Sequence, residues 1–333
     1  MIATVRARRF ATRPFLVFAS LALMAAHAAS QTQETGREGA GREDRLRQAD
    51  LPGAGQLSAD KPLGIGFGLS RETADLVPSL TNENDFVDVM LRRGVLDQVK
   101  ALAGGPVKVS CVFRSLDQMR ETISLLKDAG IQCAYLGYNP EESPGTPREE
   151  LDDFVGAVKR AKELAKACGA ALLVGPGMRF MTSRESDYAK AAPYADAWLI
   201  QSQRFQIDRD TGRRATPGEY RNDMQRVVNL IHQGNPQTKV WAQIIICPGA
   251  RPGNEFSAEE IVSLARAIDD IVDAVRIYTA GAPNGVAILK RIIQILRESR
   301  PASAASAPSA HSYGREKSAA LVAWTVMFRV ASA

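Results

Sequence analysis

Between residues 63 and 299 the hydrophobic positions alternate between two rhythms, short runs of period two and longer stretches of period 3.6. The short runs Leu63–Leu69, Val107–Phe113, Gln132–Tyr138, Ala171–Val174, Asp196–Ser202, Lys239–Ile246 and Asp273–Tyr278 predict strands. Each is followed by a helical pattern. Ser115-Leu-Asp-Gln118 and Ser257-Ala-Glu-Glu260 open two of these as capping boxes, and Thr146-Pro147 opens a long one with proline at its first position. Strand-then-helix alternation makes each helix a crossover connection and so builds a parallel sheet. About 240 residues is the usual size of a (β/α)8, TIM-like barrel. Seven units are clear, and Phe86–Leu91 is the candidate for the eighth strand. The competing architecture is an open, doubly wound sheet. No G-x-G-x-x-G opens a helix here, because Gly64-Ile-Gly-Phe-Gly68 has the wrong spacing and lies inside a strand.

Alternation also divides each strand into two faces. The apolar set, Val107, Val109, Cys111 and Phe113, Trp198 and Ile200, Val240, Ala242 and Ile244, Val275 and Ile277, should pack under the helices. The opposite set carries Lys108, Ser110, Arg114, Asn139, Gln201, Gln203, Trp241, Gln243, Arg276 and Tyr278, and should enter the barrel. Gly64, Gly66 and Gly68 should leave one sector of the lumen open. The strand Asp196–Ser202 and its continuation Gln203-Arg-Phe-Gln206 bring amides and a guanidinium to the ligand-binding end.

Outside residues 63–299 the pattern changes. Arg6, Arg8, Arg9 and Arg13 precede the apolar run Phe15–Ala26 and the small residues Ala26-His27-Ala28, so residues 1–28 read as a secretory signal peptide. The run is shorter than the ~20 residues of a membrane span. Residues 29–62 read as a disordered polar leader, and residues 300–333 as an Ala/Ser/Pro linker and apolar tail. Losing residues 1–28 takes four arginines from a formal charge of +5, leaving +1. No basic patch with interleaved aromatics remains, which argues against nucleic acid as a partner. The expected location is periplasmic or secreted, with no membrane span after cleavage. There Cys111, Cys133, Cys168 and Cys247 could pair. Cys133 with Cys168 is one conceivable bridge, and four buried thiols is the simpler reading.

The residues at the strand ends limit the chemistry. Histidine is nearly absent and acids are missing from successive strand ends, so neither a metal nor another cofactor is expected. A secreted single barrel with aromatics, amides and arginines at its strand ends resembles the barrels of the glycosidase superfamily. That resemblance implies a carbohydrate partner and two carboxylates as acid and as nucleophile or base. The fourth and seventh predicted strands, where the commonest clan carries them, end in Gly175-Pro-Gly-Met-Arg179 and Tyr278-Thr-Ala280 and have none. Glu141 is then the catalytic candidate, working with Asp208 or another loop acid. Asn139, Arg179, Gln201, Gln203, Gln243 and Tyr278 are the substrate-binding candidates. The alternative is a barrel that binds glycans without cleaving them.

Overall fold

The computed structural model describes residues 62–91, 95–142, 145–178, 180–208, 211–250 and 254–298. The signal peptide, the leader and the C-terminal linker and tail lie outside them. Eight parallel strands close into a barrel in sequence order: β1 Gly64–Gly68, β2 Phe86–Val89, β3 Lys108–Phe113, β4 Tyr135–Tyr138, β5 Ala171–Val174, β6 Ala197–Gln201, β7 Lys239–Ile245 and β8 Ala274–Tyr278. The eighth unit is supplied by Phe86–Val89, and β8 pairs with β1 through Ile65 opposite Val275 and Phe67 opposite Ile277. Closure removes the open sheet edge that the doubly wound alternative would have kept.

The two predicted faces separate as alternation requires. Ile65, Val109, Cys111, Trp198, Ile200, Ala242, Val275 and Ile277 belong to the large core between strands and helices. Trp198 lies there against the rings of Tyr188 and Phe154, with centroids 4.8 and 6.3 Å away. Fully burying a Val, Leu or Ile side chain contributes about 1.5–3 kcal/mol relative to exposure, so this layer dominates the stability. A smaller apolar cluster fills the lower lumen: Phe86, Tyr135, Leu173, Ala197, Leu199, Trp241 and Ala274. Phe86 stacks on Trp241 at 4.1 Å, and Tyr135 meets the same indole edge-on at 4.9 Å.

Phe86 corrects one expectation. The β1 glycines do not all leave open space, because the Phe86 ring occupies the sector beside Gly66. Only Gly68 faces the cavity above.

At the opposite end, an aspartate precedes three alternate strands and ties each to its neighbour. Asp85 Oδ1 accepts from Ile65 N at 2.9 Å, Asp196 Oδ2 from Leu172 N at 2.7 Å, and Asp273 Oδ2 from Val240 N at 2.8 Å. Each carboxylate satisfies an amide at the start of the adjoining strand. Three acids are therefore committed to structure at the N-terminal end of the strands.

Helix starts follow the sequence in part. The Ser257–Glu260 capping box forms, as does a second one between Thr216 and Glu219 ahead of the helix Pro217–Gly234. The long helix expected after Thr146-Pro147 is instead two pieces, Arg148–Asp152 and Phe154–Ala167, the second capped by Asp153. Among the described residues no helix is long and apolar enough to cross a membrane.

Candidate functional site

A cavity of about 520 Å³ opens at the C-terminal ends of the strands. Glu141, Asn139, Gln201, Gln203, Gln243 and Tyr278 all line it, so six of the seven sequence candidates meet in one place. The seventh, Arg179, lies outside the described residues. Asp208 does not line the cavity; its Oδ1 accepts from Thr211 N at 3.0 Å within a turn after β6.

Arg276 and Asp88 occupy the deep end of this cavity. Arg276 rises from β8, and its side chain is 13% exposed. Its Nε donates to Asp88 Oδ2 on β2, and its Nη1 donates to Gln243 Oε1 on β7. Gln243 Nε2 then donates to Gln203 Oε1 at 3.2 Å, Gln203 Nε2 to Gln201 Oε1 at 3.3 Å, and Gln201 Nε2 to the Gly175 carbonyl at 3.2 Å. Arginine has no acceptor, so the first glutamine must turn its oxygen toward it. That choice fixes the orientation of every amide after it. Each carbonyl oxygen is used within the chain, while each NH2 keeps one further N–H. Arg276 Nη2 makes no hydrogen bond among the described residues and lies beside Gly68, where an added Cβ would still be 4.0 Å from it.

The polar arc is held from outside the lumen. Ser202 Oγ donates to the Gln243 carbonyl at 2.7 Å, and it shares a 2.6 Å hydrogen bond with the buried Tyr220 hydroxyl of helix Pro217–Gly234. Gln206 bridges to Ile245 in both directions at 2.9 Å, so the short helix Gln203–Gln206 is clamped to β7. Gln206 was expected at the rim; it is fully buried, a positioning residue that holds Gln203 over the lumen.

Asp88 is the residue that the sequence did not single out. Burial pushes its carboxyl above the usual range, further than the adjacent Arg276 guanidinium pulls it down. Its Oδ1 and Ser110 Oγ are both buried, on directly paired residues of β2 and β3. On another wall, Glu141 Oε2 is 3.5 Å from Arg114 Nη2, and its Oε1 accepts from Asn139 Nδ2 at 3.4 Å. Thr146 Oγ1 accepts from Glu141 N at 3.0 Å and donates to the Arg114 carbonyl at 2.8 Å, joining the loops after β3 and β4. The mouth is apolar in part, with Met90 54% and Tyr278 38% exposed. Among the described residues no three His, Cys, Asp or Glu side chains are grouped to hold a metal ion.

No family model matches the sequence, and no curated protein matches it. Solved structures of similar architecture include a phosphonopyruvate hydrolase complexed with oxalate and Mg++, at 14% identity over 82% of this chain and 94% of that one, with a TM-score of 0.43. Another is the 3-keto-L-gulonate-6-phosphate decarboxylase of Vibrio cholerae, at 12% identity over 72% and 100% of the two chains, TM-score 0.42. A third is the xylanase and α-amylase inhibitor protein of Scadoxus multiflorus, at 11% identity over 72% and 99%, TM-score 0.46. None of these is a glycosidase. The expectation of a glycosidase-like barrel acting on or binding carbohydrate is corrected, and the cleft gives the physical reason. Both of its lining carboxylates, Asp88 and Glu141, are engaged by guanidinium groups rather than placed as a free acid and base. The likeness to these structures is one of barrel architecture, and no activity passes from them to this chain.

Proposed function

We propose that the barrel binds a small organic anion, with a carboxylate or similar oxyanion head seated on Arg276 Nη2 beside Gly68. The observation that carries this reading is the fixed direction of the amide chain. Because Arg276 sets it, Gln243, Gln203 and Gln201 each retain one further N–H while each side-chain oxygen already accepts one bond along the chain, which favours an acceptor-rich ligand. The size supports a small molecule, since ligand pockets run to about 300–1,000 Å³. Leu69, Met90 and Tyr278 offer apolar contact for the rest of the ligand toward the mouth.

Calorimetric titration of the full chain with malonate and succinate, and with malonamide as the uncharged counterpart, tests this. At least one dicarboxylate should bind saturably, and malonamide should bind at least tenfold more weakly. Arg276→Gln should lose about ten- to a hundredfold in affinity, the range for a hydrogen bond to a charged group. Arg276→Lys, which keeps the charge but not the planar fork, should recover only part of it. Equal binding of malonate and malonamide, or no binding of either dicarboxylate, would overturn the reading.

A further inference from the structure

Cys111 and Cys133 do not line the ligand cavity; they lie in the outer core. Cys111 is in the middle of β3 on the helix-facing side, and Cys133 comes just before β4. Cys111 is sealed at 0% exposed, and Cys133, 2% exposed, lies at the edge of a depression. Their Sγ atoms are 2.9 Å apart, closer than two non-bonded sulfur atoms pack and within reach of a covalent bond after a small side-chain rotation. The backbone already fixes the approach. Ala134 N donates to the Val109 carbonyl at 3.0 Å, and Ser110 pairs with Tyr135, so the two cysteines sit on hydrogen-bonded neighbouring segments.

We propose that Cys111 and Cys133 form a disulfide that staples β3 to the entry of β4. Cys168, the partner that the strand and helix ends suggest from sequence, has no such contact with either. The oxidant is a low-molecular-weight disulfide of the glutathione type. Cys133 attacks one of its sulfur atoms and releases the first reagent thiol; Cys111, giving up its proton, attacks the mixed disulfide and releases the second. One protein S–S bond forms, one reagent S–S bond is reduced, and the electrons balance. Cys133 is the attacking sulfur for two reasons. It lines a depression of about 330 Å³ at the N-terminal ends of β3 and β4, together with Lys108, Gln132 and Gly169. The contact with Cys111 also lowers the Cys133 thiol, while the same contact and burial raise the Cys111 thiol. This proposal is independent of the ligand assigned to the cavity.

The full chain is folded in a glutathione buffer rich in the oxidised form, denatured, alkylated without reduction and digested with trypsin. The expected product joins the peptides Val109–Arg114 and Asp128–Arg148, with Cys168 and Cys247 alkylated. Reduction should lower the melting midpoint by roughly 5–10 °C, as for a link closing a loop of about twenty residues. The double variant Cys111→Ser/Cys133→Ser, which cannot form the link, should show no response to the reductant. Alkylation of all four cysteines, a link from Cys133 to Cys168, or an unchanged midpoint on reduction would each overturn the staple.

Discussion

A Cβ added at Gly66 would stand 2.2 Å from Phe86 Cζ, inside the ring stack that fills the lower lumen, whereas one added at Gly68 would meet nothing nearer than Arg276 Nη2 at 4.0 Å. The same substitution at two positions of one strand should therefore separate stability from binding. Gly66→Ala should cost about 1–3 kcal/mol in chemical denaturation, the usual penalty for overpacking a filled core. Gly68→Ala should leave stability within about 0.5 kcal/mol, as at sites free of such features. It should nevertheless weaken dicarboxylate binding, because the methyl group takes the space over Nη2. At this scale Gln201, Gln243 and Arg276 were legible as lumen residues, since alternation along a strand is a local property; Gln203 reaches the lumen from the short helix Gln203–Gln206 instead. Asp88 was not, because its strand is four residues long and its significance comes from Arg276, 188 residues away in the chain.

Among the elements, the helix Pro217–Gly234 shows how a sequence motif becomes a pH-dependent contact. Arg213 forms a two-pronged contact with Glu219 at 2.7 and 3.0 Å, while Thr216 N donates to the same carboxylate at 2.8 Å. The Arg213 hydrogen bonds, then that from Thr216 N, hold the Glu219 carboxyl down at about 2, against an ordinary 4.5. A carboxyl depressed on folding takes up its proton first in the unfolded chain. Its stabilisation is thus present above pH 4.5 and is lost as the pH falls toward 2. A carbon-detected titration should place Glu219 near 2 in the wild type, and Arg213→Gln should move it back toward 4.5. A wild-type midpoint near 4.5 would show that the contact does not form in solution. The Ser257–Glu260 boundary was readable because caps are local, although the Thr216 box was not singled out. The break at Asp153 was not read; Asp153 Oδ1 accepts from Gly156 N at 3.1 Å, and just before it the buried Glu150 carboxylate accepts from Leu116 N at 3.1 Å and from the Tyr138 hydroxyl at 2.9 Å.

Strand pairing closes the barrel, and one further contact joins its two sequence ends. Arg297, in the last described helix, Gly285–Glu298, reaches both oxygens of Asp85 at 2.5 Å, joining residues 212 apart. Asp85 is fully buried and also holds Ile65 N and Asn82 N. Asp85→Ala should cost about 3–5 kcal/mol, because it strands a guanidinium as well as backbone donors. Asp196→Ala, at a half-exposed site bonded to Leu172 N and Lys162, should cost only about 1–2 kcal/mol by the same denaturation measurement. A reversed order would mean that the Asp85 contact is not the stronger of the two ties.

By itself the sequence determined the alternation of strands and helices, the face each strand residue takes, and the gathering of amides at one end of the barrel. These follow from periodicities of two and 3.6 that act over a few neighbouring residues. Only the tertiary structure decided that Phe86 would fill the space beside Gly66. It also decided that Asp88 and Glu141 would be engaged by arginines from other strands, and that Arg276 would impose one direction on three glutamines. Those outcomes depend on which side chains meet across a closed lumen, and that is set by barrel register rather than by any stretch of local pattern.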